Sequence, residues 1–67
     1  MQIETEVYHG NIRYLVFTRY NEDTCEFVTV THRHDLIQDW KIIIDETRTP
    51  NSKDAKAYHA EMLKLIG

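Results

Sequence analysis

At 67 residues, with 42% hydrophobic side chains, two glycines and one proline, the chain has room for one small domain and little for linkers or disorder. Eight Lys/Arg against 11 Asp/Glu give a formal net charge of −3, which argues against the basic footprint of a nucleic-acid binder and is too sparse for a DNA mimic. No apolar run approaches the ~18 residues of a membrane span, and no charged segment followed by an apolar run marks a signal peptide. The one cysteine, Cys25, has no partner for an intramolecular disulfide; a free thiol suits a reducing compartment, so a cytoplasmic location is expected.

The first segment alternates. Ile3, Thr5 and Val7 fall on one side and Gln2, Glu4, Glu6 and Tyr8 on the other, the period of a half-buried strand. Gly10-Asn11 follows, where glycine supplies the positive φ of a tight hairpin. "NIRYLVFTRY" is rich in β-branched and aromatic residues and reads as a central strand; "NEDT" is a turn and "CEFVTVTH" a third strand. Two-residue turns at Gly10-Asn11 and Glu22-Asp23 would set Val7 against Tyr14, Thr5 against Val16, Arg19 against Glu26, Phe17 against Val28 and Leu15 against Val30. Cross-strand partners share a face. One face then carries Leu15, Phe17, Val28 and Val30 inside a charged rim of Glu4, Glu6, Arg13, Arg19, Glu26 and His32. The other carries Ile3, Val7, Ile12, Tyr14, Val16, Tyr20, Cys25 and Phe27 among threonines.

After His34 the period changes. Leu36, Ile37, Trp40, Ile43 and Ile44 fit one apolar arc at about 100° per residue. Asp35 with Gln38 three residues later approximates a capping box. The spacing predicts a helix from Asp35 to about Thr47, with Trp40 buried against the sheet. Three consecutive isoleucines in "KIII" favour a strand instead, so a fourth strand over 41–47 is the alternative. Pro50 ends this segment. Asn51 or Ser52 then caps a last helix, with Asp54 in its first turn, Lys64 near its end, and a stripe of Ala55, His59, Met62, Leu63 and Ile66. The expected fold is α+β, a three-stranded antiparallel sheet followed by two helices (β-β-β-α-α). The alternative is four strands plus one C-terminal helix.

No phosphate loop, nucleophile elbow or paired-cysteine knuckle is present, so no catalytic residue, metal or cofactor is expected. His32 and His34, two apart on a strand, point the same way and suit a metal, but zinc needs three or four ligands and none joins them. The bland reading is a strand end with solvated histidines, and it is preferred; a small metal-dependent enzyme using His32 and His34 stands as a lesser alternative. Cys25 reads as a small buried hydrophobe. Glu4 and Glu6 read as a solvated edge that discourages aggregation.

Both sheet faces are apolar, and helices on one side leave the other over. With Leu15, Phe17, Val28 and Val30 taken as core, the tyrosine- and threonine-rich face of Ile12, Tyr14, Val16, Tyr20 and Phe27 becomes the expected partner-binding surface; a reversed assignment would move it to the charged-rim face. The expected function is a non-enzymatic protein–protein interaction module, a small inhibitor or adaptor of the phage or mobile-element type that blocks a larger protein, with homodimerisation through the same face equally compatible. A nucleic-acid-binding regulator using Arg13 and Arg19 is the alternative.

Overall fold

The computed structural model describes residues 1–67 and contains four strands and one helix. The strands are β1 (Gln2–His9), β2 (Ile12–Asn21), β3 (Glu26–Asp35) and β4 (Trp40–Thr49), and the helix is α1 (Ser52–Ile66). They form one antiparallel sheet in the order β1-β2-β3-β4. The four-strand arrangement is the alternative read from the sequence. The expected helix over Asp35–Thr47 is corrected to a turn and the fourth strand.

Asp35 explains both the resemblance to a helix start and its failure. Its side-chain Oδ1 accepts the backbone N–H groups of Ile37 and Gln38, each at 3.0 Å, as an N-cap aspartate would. The chain then leaves the helical path at Asp39, which sits at φ 52. Aspartate tolerates this left-handed conformation, and it turns the chain back as a hairpin. From Trp40 onward the β-branched isoleucines extend as β4. Amphipathic spacing alone did not outweigh them.

The β2–β3 connection is built on the same plan. Residues 22–25 link the paired Asn21 and Glu26, as 36–39 link Asp35 and Trp40. Asn21 Oδ1 accepts the N–H of Asp23 at 3.0 Å, and the last loop residue, Cys25, has φ 55. The expected two-residue turn at Glu22-Asp23 is therefore a four-residue loop. Cys25 is exposed within it rather than buried. The longer loop shifts the β2–β3 register by two, so Arg19 faces Val28, Phe17 faces Val30 and Leu15 faces His32. An even shift keeps every residue on its expected face. The β1–β2 pairing is as expected, with Val7 against Tyr14 and Thr5 against Val16. The two turns at one end of the sheet are tied where Leu36 N–H donates to the Asn11 carbonyl at 2.9 Å.

Helix α1 starts where Asn51 Oδ1 accepts the Asp54 N–H at 2.8 Å. It ends where Gly67, at φ 96, donates its N–H to the Leu63 carbonyl at 3.2 Å. Its buried stripe is Ala55, His59 and Met62. This stripe lies on the threonine-rich face of the sheet, over Val16, Thr18, Thr29 and Thr31, all fully buried. The expected assignment of faces is thereby reversed: Leu15, Phe17, Val28 and Val30 lie on the side without a helix.

The layer under α1 is polar at its centre. His59 Nε2 is 2.9 Å from the Thr5 hydroxyl, and its Nδ1 is 2.8 Å from that of Thr18, which in turn lies 2.8 Å from Thr29. Beside them the Tyr58 hydroxyl donates to the Asp45 carboxylate, and the Thr47 hydroxyl donates to Tyr58 at 2.9 Å. That carboxylate pushes the Tyr58 phenol above its ordinary pKa. Threonine suits this layer because its branched side chain fits a strand while its hydroxyl completes the histidine's hydrogen bonds.

Candidate functional site: the uncovered face and the β4 edge

Strand register orders the uncovered face into rows across the sheet. They read Gln2–Arg19–Val28–Arg48, Glu4–Phe17–Val30–Glu46, Glu6–Leu15–His32–Ile43 and Tyr8–Arg13–His34–Lys41. The two central strands supply an apolar strip of Leu15, Phe17, Val28 and Val30. Val28 is buried even without a helix above it, between Arg19 and Arg48, whose aliphatic stems can lie along it. Arginines close one end of the strip, and a row of Tyr8, Arg13, His34 and Lys41 closes the other.

The fourth strand forms one edge of the sheet. It contains a bulge: His32 pairs with Ile43 and Thr31 with Asp45, leaving Ile44 without a partner. Bulges bend and twist a strand, and they are frequent at sheet edges. Along this strand and in the loop before it lie six exposed apolar side chains. Ile37 is 73% exposed and Ile43 58%, with Leu36, Trp40, Ile42 and Ile44 also exposed. Trp40, expected in the core, stands at the start of the edge strand. Its indole N–H donates to the Gln38 side chain at 2.7 Å, and Arg33 lies over its ring at 5.8 Å from the centroid. The opposite edge, β1, presents Glu4 and Glu6, which resist strand pairing. On β4 the bulge and the flanking charges of Lys41 and Asp45 interrupt the edge, with the exposed Ile42, Ile43 and Ile44 between them.

The expected partner-binding residues occupy a different place. Val16 is completely buried beneath α1, so it cannot meet a partner in the folded chain. Tyr14, Ile12 and Phe27 are half-buried, and Tyr20 is exposed and packs on Phe27 with ring centroids 5.0 Å apart. They flank the helix at the two ends of the covered face instead of forming one continuous patch. Alternation along the strands identified two apolar faces correctly; it carried no information on which of them α1 would choose. The buried histidine was the available clue. A His on the helix stripe needs hydroxyl partners, and only the threonine face offers them.

Arg13 and Arg19 share the uncovered face. Arg13 is already engaged: its Nη2 donates to Glu6 at 2.6 Å, and this contact holds the Glu6 carboxyl below its ordinary range. Glu4 and Glu46 flank Phe17 and Val30 in the adjacent row. The field over the centre of the sheet is thus mixed in sign, which suits a protein surface better than a phosphate backbone. His32 and His34 do project to the same side. Arg13, Leu15 and Lys41 line the pocket around them, and no group of three or more His, Cys, Asp or Glu side chains is arranged to hold a metal ion. No helix is long and apolar enough to cross a membrane.

Comparison with known proteins finds no matching family model, no matching curated protein and no matching solved structure.

Proposed function

We propose that this chain is a non-enzymatic protein-interaction module that docks on a larger protein through its uncovered sheet face and β4 edge. The observation that carries the reading is the run of exposed apolar side chains at Leu36 and Ile37 in the β3–β4 loop and at Trp40, Ile42, Ile43 and Ile44 on the edge strand of a very small sheet. An edge strand offers unpaired backbone N–H and C=O groups beside these side chains. The occupant it fits is a protein segment that adds a strand to β4 and covers the isoleucines with its own apolar residues. A chain of this size acts by occupying the partner's surface, which is the mode of an inhibitor or adaptor. Trp40, on the helix-side face of β4, and Ile43, on its uncovered face, are the anchors, because large side chains left partly exposed are where binding energy concentrates.

A photo-crosslinking amino acid placed in turn at positions 37, 43, 20 and 53 in the source cells tests the reading. Crosslinks to one larger protein from positions 37 and 43, and not from 20 or 53, are expected. Ile43→Lys should abolish crosslinking from position 37 while leaving the melting temperature within a few degrees. Crosslinks from position 20 alone would return the interface to the tyrosine side, and crosslinks only to a second copy would make the chain a homodimer.

A further inference from the structure

Apart from its apolar strip, the uncovered face has one concave feature. A pocket of about 190 Å³ opens at the end of the sheet between β2, β3 and β4, lined by Arg13, Leu15, His32, His34 and Lys41. Cavities for drug-sized ligands begin at roughly 300 Å³, so this one holds a single small group. Four of its five walls are basic side chains from three strands. Register places Arg13, His34 and Lys41 side by side in one row, with His32 in the next. His34 is the innermost of the charged contacts, its side chain 14% exposed. Its Nε2 contacts Asp39 Oδ1 at 2.9 Å, while its buried Nδ1 has no hydrogen-bond partner.

We propose that this pocket is a binding site for a phosphate monoester of a small molecule. Two permanent cations, Arg13 and Lys41, supply the charge, and donors arriving from three strands surround a tetrahedral oxyanion. A planar carboxylate needs only one guanidinium fork. The apolar floor of Leu15 excludes water beneath the anion and strengthens the surrounding contacts. Two carboxylates oppose the site. Glu6 binds Arg13 at 2.6 Å from the β1 side, and Asp39 binds His34 from the loop with its side chain 85% exposed. Asp39 is therefore free to swing away, while Arg13 can bridge Glu6 and the ligand through its remaining N–H groups. The site borders the isoleucine edge, since Lys41 lies on β4 and Ile43 pairs with His32, but it is formed by this chain alone.

Chemical-shift titration of the ¹⁵N-labelled chain tests the site, with inorganic phosphate, glycerol 3-phosphate, acetate and a short single-stranded oligonucleotide as separate probes. Phosphate and glycerol 3-phosphate should produce saturable shifts confined to Arg13, Leu15, His32, His34 and Lys41. Acetate should require roughly tenfold higher concentration, the difference expected from losing one charge-assisted contact. Lys41→Ala should weaken phosphate binding by about tenfold, and Asp39→Asn should tighten it severalfold. Both positions are exposed, and asparagine keeps the left-handed backbone at 39, so an unchanged circular dichroism melt is expected for each. Absence of saturable shifts would overturn the proposal, as would shifts spread equally over Arg19, Arg48 and Lys53, binding of the oligonucleotide alone, or indifference to both substitutions.

Discussion

His59 Nδ1 lies 2.8 Å from the Thr18 hydroxyl, a buried contact that ties the helix to the threonine-rich face of the sheet. The imidazole is 4% exposed and also meets Thr5. Replacing it by alanine leaves the Thr5 hydroxyl without a partner and Thr18 with Thr29 alone, and opens a cavity, at a cost of roughly 2–4 kcal/mol. Against a domain stability of about 5 kcal/mol, His59→Ala should stay folded with only about 1–3 kcal/mol left, and unfold at a much lower urea concentration. Urea titration of the two proteins measures it, and a loss below about 1 kcal/mol would show that the threonine layer is not held by this histidine.

Burial lowers the His59 pKa below its ordinary value, so the folded chain keeps the ring neutral where the unfolded chain begins to bind a proton. The contribution to stability is therefore complete above about pH 6.5, the unfolded value, and declines as the pH falls towards the folded one. Urea midpoints should drop between pH 7.5 and pH 5. In a background of His59→Gln that remains folded, most of the drop across that interval should disappear. An equal drop in both proteins would assign the effect to other groups.

The two four-residue loops predict a paired result. Cys25 and Asp39 both hold φ above 50°. Glycine at either position should be neutral or stabilising, whereas valine should cost about 1–2 kcal/mol through the clash of its Cβ in the left-handed region. Asp35→Ala, which removes the acceptor for two N–H groups, should cost about 1 kcal/mol. Thermal melts of the five variants check this, and tolerance of valine at 39 would contradict the turn geometry.

What could be read from the sequence divides along physical lines. The hairpin at Gly10-Asn11, the alternation of β1–β3 and the last helix with its Asn51 cap and Ala55–His59–Met62 stripe follow from local chemistry, and local chemistry is in the sequence. Asp35 misleads because its first two hydrogen bonds are common to a helix start and to this turn; Asp39 separates the two only through its backbone conformation. Cys25 misleads similarly, since a loop ending in a left-handed residue adds two positions to an apparent two-residue turn. The helical arc of Leu36, Ile37, Trp40, Ile43 and Ile44 does not persist in the fold: Leu36 and Ile37 lie in the loop, and Trp40 and Ile43 point to opposite faces of β4. The choice of sheet face was legible only by asking where His59 could find hydroxyls. The row of Arg13, His34 and Lys41 required the corrected register and the fourth strand.

Trp40 separates a core role from an interface role. It is 39% exposed and stacks on Arg33 at the start of β4. Trp40→Ala should lower stability by about 1 kcal/mol, well short of the ~3–5 kcal/mol of a fully buried tryptophan. It should weaken partner binding by more than 2 kcal/mol, as expected of a hot spot. Unfolding by this substitution would place the indole in the core.

A partner docked as proposed would meet the uncovered face and the β4 edge. Hydrogen–deuterium exchange of the chain, free and bound to the protein captured by crosslinking, tests it most directly. New protection should appear in the amides from Trp40 to Glu46 and at Leu36–Ile37, where an added strand would pair and cover the edge, while α1 exchanges as in the free chain. Protection confined to Tyr20, Phe27 and α1, with the edge strand exchanging unchanged, would contradict the account.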